Sequence, residues 1–350
     1  MTKGYRLKPI AASLLLAGML SSPTVQAADE HWVQRVNMSG VVEVEYASSE
    51  DYEGKKTSDI AVATVEVNLE ARINDKVTAN ITLLHEEDET DFSVDAAYLD
   101  LGLGPATVTA GQFVVPFGSF ETHMLADPVT LEIAETGESA LQVGGEFGSI
   151  HAAVYMFNGA TQETGGDDVA DQMGVHLAFV SEGKDSKMDI GIDYINNIAD
   201  SDKIADYLQN DAGGPKSNNV KSYVPAQIIH ANLSFGSFHF VAEHLQADKF
   251  ADGEVNFKGK GAEISATNVE VAYDLSIAGM DTTVGVAMQS TEEAVALGMP
   301  KDKTMFAMSF GIAKYTALTF EYANSTDYAV TDGGTGKDAT SYTLQLAVGF

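Results

Sequence analysis

Acidic side chains are concentrated in a long segment that interrupts an otherwise regular strand pattern. Residues 114–139 contain Pro116 and Pro128, which disfavour a continuous strand, and no Lys or Arg lies between Lys76 and Lys184. Charged groups around a constriction set the ion preference of a channel. We therefore predict that this segment brings a group of side chains to a constriction: Glu121, His123, Asp127, Glu132, Glu135 and Glu138. The alternative is an exposed, solvated acidic loop.

A second set of ionisable side chains occupies alternate positions within predicted strands. Between Ala61 and Ile73 the odd positions are apolar, and the even positions include Glu66, Glu70 and Arg72. Alternate side chains of a strand point to opposite faces, and in a membrane barrel the polar face lines the lumen. The predicted lumen-lining residues are Glu66, Glu70, Arg72, Asp189, Asp193, Glu243, Glu270, Asp274 and Glu321. A lumen with this composition should prefer cations.

The residue patterns do not predict catalysis. Neither G-x-S-x-G nor H-E-x-x-H occurs, and the pair of Ser149 and His151 is too generic to define a catalytic triad. The absence of cysteine excludes thiolate metal sites and cysteine nucleophiles. The acidic runs at 86–89 and 167–171 lack the spacing of an EF-hand, so solvated loops are expected. We predict no enzymatic activity, no cofactor and no metal site.

Charge and composition narrow the class of protein further. The 20 Lys and Arg residues are outnumbered by 51 Asp and Glu residues, which gives a formal net charge of −31. Such a surface repels nucleic acid, so no nucleic-acid partner is expected. A hydrophobic content of 45% argues against a disordered acidic chain. The acids and the apolar residues must therefore occupy different faces of one folded structure.

The first residues are typical of a secretory signal peptide. Lys3, Arg6 and Lys8 precede the apolar stretch 10–20, which is too short to cross a bilayer as a helix. Val25-Gln26-Ala27 matches a small-x-small cleavage site. We predict a signal peptide over 1–27 and a single barrel domain over 28–350.

Alternating hydrophobicity predicts an all-β protein with sixteen strands. Short Gly-containing turns alternate strictly with long connections, which favours a transmembrane antiparallel up-and-down β-barrel over a Greek-key sandwich. The segment 114–139 is then the third external loop, which we expect to fold inward and narrow the pore. The predicted strands are 36–47, 60–73, 76–86, 93–102, 105–114, 140–147, 149–158, 171–180, 187–195, 225–236, 237–247, 262–277, 280–290, 302–313, 315–325 and 339–350.

The last strand has the pattern of a barrel assembly signal. Its apolar residues alternate with small and polar ones and end in a terminal aromatic: Tyr342, Leu344, Leu346, Val348 and Phe350. An ordinary edge strand of this kind would be an aggregation hazard, whereas closure of a barrel removes the edge. We predict that this strand pairs with the first one and that its end contacts the barrel assembly machinery. The expected location is the bacterial outer membrane.

The region around the third loop resembles the LbtU-type siderophore porins. The matching segments are 111–121 (GQFVVPFGSFE), 127–132 (DPVTLE), 135–139 (ETGES) and 154–159 (VYMFNG). The shorter G-Q-F-x-x-P-F-G motif is also similar to phosphate-selective porins, but no basic track for phosphate is present. The resemblance implies a single-chain outer-membrane barrel that takes up iron–siderophore complexes without a TonB-linked plug.

Three functions are compatible with these observations. The first is passive uptake of ferric siderophores or related small cationic or metal-bearing solutes, since the chain before the second predicted strand is too short to form a plug. The second is a general cation-preferring diffusion porin. The third is a structural or adhesive barrel whose loops bind partners. The expected partners are outer-membrane lipid, the barrel assembly machinery, small solutes and, in a homotrimer, two further copies of the chain.

Overall fold

The computed structural model of the protein describes residues 35–87, 90–167, 169–209 and 214–350. The predicted signal peptide over 1–27 lies outside the described residues. Within the described part of the chain, no helix is long and apolar enough to cross a membrane.

Sixteen antiparallel strands of the described chain close into a barrel, in which each strand pairs with its neighbours in sequence. This confirms the predicted fold class and strand number. The strands are β1 (Val36–Glu50), β2 (Lys56–Asn74), β3 (Val77–Glu86), β4 (Thr90–Leu103), β5 (Ala106–Val114), β6 (Gly137–Phe147), β7 (Ile150–Phe157), β8 (Gln172–Glu182), β9 (Ser186–Ile195), β10 (Ala226–Phe235), β11 (Phe238–Ala247), β12 (Ser265–Ile277), β13 (Met280–Glu292), β14 (Asp302–Ala313), β15 (Thr316–Thr326) and β16 (Asp338–Gly349).

The barrel closes where the predicted terminal strand meets the first one. β16 pairs with β1 in a register that runs from Val41 opposite Gly349 to Glu50 opposite Thr340. Gly40 and Phe350 then exchange two backbone hydrogen bonds of 3.1 and 3.0 Å. A Cβ atom at Gly40 would lie 2.3 Å from the carbonyl oxygen of Glu66 and 2.7 Å from the Phe350 ring. Glycine is therefore required at position 40, where the closure between β1 and β16 brings the backbone and the Phe350 ring close together.

The strands separate apolar from polar side chains between the two faces of the barrel. On β12, Val269, Val271 and Tyr273 are exposed. The alternating residues Asn268 and Glu270 are buried. Exposed apolar residues recur on every barrel strand, including Tyr342, Leu344, Leu346 and Val348 on β16. An apolar outer face is what a lipid-embedded barrel presents.

The strand β2 departs from the predicted alternation. Thr64 pairs with Glu43 but Val62 pairs with Val44, so Ala63 is one extra residue on the β2 side. A bulge of this kind reverses which face later residues occupy. Ile60 and Val62 are accordingly exposed and Ala63 is buried. The prediction that Ala63 belongs to the outer apolar face is therefore wrong at this end of the strand.

The long connections carry their own structure. Two α-helices occur in the described loops, α1 (Val129–Ala134) between β5 and β6 and α2 (Asp202–Gln209) between β9 and β10. The described 3-10 helices are Val295–Leu297 and Val330–Asp332, and short strand pairs join Gln162–Glu163 to Asn219–Val220 and Asn256–Phe257 to Lys260–Gly261.

Apolar side chains from four long connections pack into one cluster, which we call the loop cluster. The connections are 115–136, 196–225, 248–264 and 293–301, and the cluster also contacts strand residues at the same end of the barrel. Burial of each large side chain contributes about 1.5–3 kcal/mol, so these loops form a packed unit. Its largest members from the connections are Phe117, Val129, Ile133, Ile198, Ile204, Leu208, Val224, Phe250, Ile264, Leu297 and Met299.

Candidate functional site

The segment between β5 and β6, residues 115–136, is called the third-loop segment below. It contains all but one of the side chains predicted at a constriction. The exception is Glu138, which lies in β6 and pairs with Phe113 of β5. The loop was predicted to extend to residue 139, but β6 already begins at Gly137. The prediction that Glu138 lies on the loop is therefore wrong.

The beginning of the third-loop segment is held by carboxylates of β9 and β11. The backbone N–H of Gly118 donates to Asp193 Oδ2 at 3.2 Å. The backbone N–H groups of Ser119 and Phe120 both donate to Glu243 Oε2, at 2.8 and 3.2 Å. Asp193 and Glu243 are only 1% and 3% exposed. Buried acceptors of this kind satisfy the backbone donors of a segment that has no sheet partner.

The middle of the segment is held by β12. The Thr122 hydroxyl donates to Glu270 Oε1 at 2.7 Å, and the backbone N–H of His123 donates to Glu270 Oε2 at 2.8 Å. The side-chain amide of Asn268 also donates to Glu270 Oε1, at 3.0 Å. Both oxygens of this buried carboxylate are therefore used in positioning the segment and the strand beneath it.

The far end of the segment reaches β15. The backbone N–H groups of Leu125 and Ala126 donate to the carboxylate of Glu321. Gly285 makes room here, because a Cβ atom at that position would lie 2.6 Å from Met124 Cε. Met124 packs on a group of small and flexible wall residues: Ala287, Met305, Ala307 and Ala323.

Four wall acids thus share one task, and we call them the anchoring carboxylates: Asp193, Glu243, Glu270 and Glu321. Each is buried and each accepts at least one backbone N–H from the third-loop segment. Hydrogen bonds to an ionised acceptor are about twice as strong as bonds between neutral groups. All four belong to the predicted lumen-lining residues. The sequence pattern does not predict that they accept hydrogen bonds from the third-loop segment.

The second half of the third-loop segment is held by packing and by α2. Val129, Ile133 and Ala134 of α1 belong to the loop cluster. The backbone N–H of Asp202 donates to the carbonyl of Glu135 at 3.0 Å. The hydroxyls of Thr136 and Ser201 lie 2.7 Å apart, and Lys203 Nζ lies 3.6 Å from Glu132 Oε2. The positive charge of Lys203 therefore partly neutralises the negative charge of Glu132.

Asp127 lies at the turn between these two halves. It is 3% exposed, and its Oδ2 atom has no hydrogen-bond partner among the described residues. Burial raises the pKa of the Asp127 carboxyl well above its usual range, and the charges of Glu132 and Glu135 raise this pKa further. The protonated form of Asp127 is thus favoured in this position. Glu121, by contrast, is exposed.

Two histidines flank the first anchoring carboxylate. His176 Nδ1 lies 2.6 Å from Asp193 Oδ1, and His230 Nδ1 lies 3.5 Å from Asp193 Oδ2. His230 Nε2 lies 3.3 Å from Asp189 Oδ1. The two imidazole rings are nearly parallel, with centroids 6.3 Å apart. The predicted lumen-lining residues include Asp189 and Asp193 but neither histidine, although both histidines alternate with apolar residues on their strands.

A second histidine pair lies beside Glu270. The rings of His123 and His239 have centroids 5.1 Å apart, and His123 Nδ1 lies 3.7 Å from Glu270 Oε2. His239 Nε2 lies 2.8 Å from Asp274 Oδ2, and Asp274 also accepts a hydrogen bond from Thr283. His123 thus contacts the wall rather than projecting alone from the loop.

The hydrogen bonds described above join the third-loop segment to strands from β9 to β15, and we call the wall formed by β1 to β4 the open wall. Glu66 accepts from the Asn68 amide, and Glu70 accepts from Asn37 and lies 3.2 Å from Arg72 Nε. A cavity of about 210 Å³ lies along this wall, and its polar lining includes Asn37, Ser39, Asn68, Glu70 and Asn80.

The open wall also contains acids that the sequence analysis missed. Glu43 and Glu45 of β1 are 2% and 5% exposed, and Asp100 of β4 accepts from Asn80 and Thr109. Glu43 and Glu45 alternate with Val42, Val44 and Tyr46 in the sequence. The same pattern that identified Glu66 and Glu70 could therefore have identified them.

Metal binding is not supported by side-chain geometry. Over the described ranges, no group of three or more His, Cys, Asp or Glu side chains is arranged to hold a metal ion. The acidic run at 86–89 lies partly outside the described residues, and so does the run at 167–171.

Sequence comparison identifies relatives in Coxiella and Legionella. A UPF0422 protein of Coxiella burnetii is 26% identical over 320 residues, which cover 87% of this chain and 67% of the relative. A UPF0422 protein of Legionella pneumophila strain Lens is 26% identical over 360 residues, covering 90% of this chain and 66% of the relative. The chain therefore spans about two thirds of the length of these relatives. No protein-family profile matches it.

Structural comparison identifies outer-membrane channels. The outer membrane channel DcaP of Acinetobacter baumannii superimposes with a TM-score of 0.62 at 12% identity, over 90% of this chain and 97% of DcaP. OprB of Pseudomonas putida superimposes with a TM-score of 0.61 at 11% identity, over 91% of this chain and 95% of OprB. The trimer form of OmpT of Vibrio cholerae superimposes with a TM-score of 0.54 at 13% identity, over 90% of this chain and 99% of OmpT. These likenesses concern the fold.

The barrel and its neighbours lead to one conclusion about class and location. The described strands form a closed sixteen-stranded barrel with an apolar outer face. Barrels with this architecture are the channels of bacterial outer membranes, and solutes cross such channels by passive diffusion. The protein is an outer-membrane β-barrel with the fold of the porins.

Proposed function

We propose that this protein is a passive, cation-preferring channel for small solutes, whose pore is narrowed by the third-loop segment. The observation that carries the proposal is the set of hydrogen bonds between the third-loop segment and the four anchoring carboxylates. These bonds join loop residues to strands that are distant in sequence, from β9 to β15. A segment that contacts so many strands of one barrel must run along a single face of the wall.

That face is the inner one in our proposal. Glu270 is buried while its neighbours Val269 and Val271 are exposed on the opposite, apolar face of β12. In a lipid-embedded barrel the apolar face meets the membrane and the polar face lines the lumen. The segment that binds Glu270 would therefore lie inside the barrel, between the wall and the pore.

The charge of the remaining pore supports cation preference. The open wall carries Glu66, Glu70 and Asp100 together with Arg72, which is itself paired with Glu70. The exposed Glu121 of the third-loop segment adds a carboxylate on the facing side. Fixed negative charges in a narrow aqueous pore attract cations and exclude anions.

The solute class rests on sequence alone. The resemblance of residues 111–159 to the LbtU-type siderophore porins supports ferric siderophores as one class of solute. A passive route is proposed because solutes cross barrels with the fold of the porins by diffusion. We also propose homotrimeric assembly, which the trimer form of the similarly folded OmpT supports, and insertion by the barrel assembly machinery through the strand that ends at Phe350.

Single-channel recording in planar bilayers tests this function. In a KCl gradient, the reversal potential should indicate preference for K⁺ over Cl⁻, and a ferric trihydroxamate siderophore should block the current more than its iron-free form. An open, cation-preferring pore without this block favours a general diffusion porin. Purified, folded protein that never conducts would leave only the structural or adhesive barrel.

A further inference from the structure

The imidazole of His230 on β10 lies between two carboxylates of β9. Its Nε2 atom lies 3.3 Å from Asp189 Oδ1, and its Nδ1 atom lies 3.5 Å from Asp193 Oδ2. His230 is only 4% exposed, so water has little access to the ring. A neutral imidazole has one N–H group and one lone pair, whereas an imidazolium has two N–H groups. Only the imidazolium can donate to both carboxylates at the same time.

The wall leaves room for this ring. Gly191 of β9 pairs with His230 in the sheet register, and a Cβ atom at Gly191 would lie only 2.7 Å from His230 Nε2. The His176 ring of β8 lies nearly parallel to the His230 ring on the same part of the wall. A side chain at position 191 would push the His230 ring away from Asp189. The glycine therefore keeps both ring nitrogens next to carboxylates.

Three acids meet at this ring. Asp189 and Asp193 approach from β9, and Glu243 approaches from β11, where it pairs with His230 in the sheet register. The charge of His230 acts on Glu243 as well as on the two β9 carboxylates. Asp193 and Glu243 are the anchoring carboxylates that hold residues 118–120 at the start of the third-loop segment. The ring therefore acts on both of these anchors at once.

Few positive charges are available to balance these acids. Among the described residues, the ion-pair partners of Asp193 are His176 and His230. The bond from His176 to Asp193 uses one ring nitrogen, so a neutral His176 can supply it. Lys187 acts on the other β9 acid, and Tyr155 of β7 approaches Asp193 with an uncharged phenol. His230 is therefore the group whose position requires a proton on each nitrogen.

Loss of one ring proton from His230 to solvent changes this arrangement in two ways. The deprotonated nitrogen directs a lone pair at a carboxylate oxygen, and three neighbouring acids lose the positive charge between them. Buried like charges repel strongly, because little water is present to screen them. Asp193 and Glu243 must then move apart or take up protons. Either response weakens their hydrogen bonds to the backbone N–H groups of residues 118–120.

We propose that His230 is a proton-dependent counter-ion that positions the start of the third-loop segment. While the ring is an imidazolium, it holds Asp189 and Asp193 in place and the segment stays docked. As the pH rises and the proton is lost, residues 118–120 are released and the pore widens. His230 is a positioning residue, because it acts on the loop through Asp193 and Glu243. The inference rests on the proposed narrowing of the pore by this segment.

The test compares two substitutions that fix the charge of residue 230. His230→Gln is neutral at every pH, whereas His230→Lys keeps a positive charge among the acids after imidazole has lost its proton. Single-channel conductance in planar bilayers is recorded from about pH 6 to about pH 10. Wild-type conductance should rise by about twofold or more across this range. His230→Gln should be high throughout and His230→Lys low throughout.

A nitroxide label on Glu121→Cys reports the same event without any current. The label lies next to residues 118–120, so it should become mobile at alkaline pH in the wild-type background. It should be mobile at every pH with His230→Gln and ordered at every pH with His230→Lys. A purely structural role of the imidazole would instead make the two substitutions behave alike.

The matched control is His151→Gln. His151 alternates with Ala153 and Tyr155 on the buried face of β7, but it lies at the short-turn end of the barrel, away from the third-loop segment. This change should leave the wild-type pH profile in place. If the variants at position 230 do not fold, Asp189→Asn replaces them. It removes one carboxylate that faces the ring, so release should begin at a lower pH than in the wild type.

The two readouts distinguish failure of the channel from failure of the counter-ion. If the wild-type protein does not conduct, but the label shows alkaline release that His230→Lys abolishes, the proposed function fails and the role of His230 stands. If the protein conducts and His230→Lys follows the wild-type pH profile in both readouts, the role of His230 is overturned and the channel stands. A wild-type pH profile in His230→Gln would overturn that role as well.

Discussion

The two sides of the barrel use the same residue type in different ways. From β9 to β15, the inward carboxylates Asp193, Glu243, Glu270 and Glu321 accept hydrogen bonds from the third-loop segment. From β1 to β4, Glu66, Glu70 and Asp100 accept hydrogen bonds from neighbouring wall side chains. The first group has a positioning role, and in the proposed channel the second group is available to ions.

The difference teaches that an inward acid is not by itself a selectivity residue. An anchoring carboxylate accepts hydrogen bonds from the third-loop segment and is shielded from water. In the proposed channel, an acid on the open wall would act on ions in the pore. Removing the first kind should change the shape of the pore, whereas removing the second should change its ion preference.

The largest effect is expected from Glu270→Ala combined with Glu321→Ala. These changes leave four loop donors without acceptors, and each lost bond to a charged acceptor weakens docking by about 1.5–3 kcal/mol. The third-loop segment should detach and single-channel conductance should rise several-fold. The matched pair Glu66→Ala with Glu70→Ala should leave conductance within about a factor of two of wild type, in line with a loss of charge alone.

Loop release can be observed independently of current. The sequence contains no cysteine, so Glu121→Cys creates a unique site for a nitroxide label. The label should become mobile in the Glu270→Ala, Glu321→Ala background and stay ordered in the open-wall pair. Equal mobility in both backgrounds would contradict the division between the two walls.

Charge reversal on the open wall should give the next largest effect. Glu66→Lys with Glu70→Lys replaces two negative charges by two positive ones, and the ratio of K⁺ to Cl⁻ permeability should fall by about fivefold or more. Reversal potentials in a KCl gradient measure this ratio. Glu243→Gln, on the anchoring side, should change it by less than about twofold. A larger change with Glu243→Gln would show that both walls face the ion path.

A smaller effect is expected where the third-loop segment meets a wall glycine. Gly285→Val places side-chain atoms where Met124 now packs, since even a Cβ atom would lie 2.6 Å from Met124 Cε. Overpacking of this kind costs about 1–3 kcal/mol. The label at residue 121 should show a minor mobile population, with conductance raised less than in the anchoring variant. Gly311→Val, where a Cβ atom would have no contact under 3.6 Å, is the control.

The smallest effect concerns pH and Asp127. Burial raises the pKa of this carboxyl in the docked segment, so docking favours the protonated form. The contribution of protonated Asp127 to docking is complete below the ordinary pKa of aspartic acid, about 3.9. This contribution is lost as the pH rises through the raised pKa of Asp127 in the docked segment. The difference between wild type and Asp127→Asn isolates the contribution of Asp127.

Label mobility at residue 121, measured across this pH range, supplies that difference. Wild type should lose docking relative to Asp127→Asn on the alkaline side, where the buried carboxyl must either ionise or leave its site. Identical profiles for the two proteins would show that Asp127 is not buried in the docked state.

The wall could be predicted from the sequence because its determinants are local. Period-two alternation, Gly-containing turns and the pattern ending at Phe350 gave the sixteen strands and their closure. The bulge at Ala63 could not be predicted, since it depends on how β2 pairs with β1. The roles of the acids were also beyond local patterns: Glu321 meets Leu125 across a sequence separation of 196 residues. Alternation shows that such a side chain faces inward but not which backbone donor it meets.

The turn at Asp127 and Pro128 divides the third-loop segment into parts that are held by different forces. Residues 118–126 are bound through charged acceptors, and residues 129–136 through the apolar loop cluster and α2. The first attachment depends on the acceptor strength of the anchoring carboxylates, whereas cooling weakens the second because hydrophobic stabilisation declines at low temperature. Loss of the first attachment should therefore free residues 118–126 while residues 129–136 stay packed in the loop cluster. In the proposed channel, such a release about residue 128 would widen the pore without displacing α1.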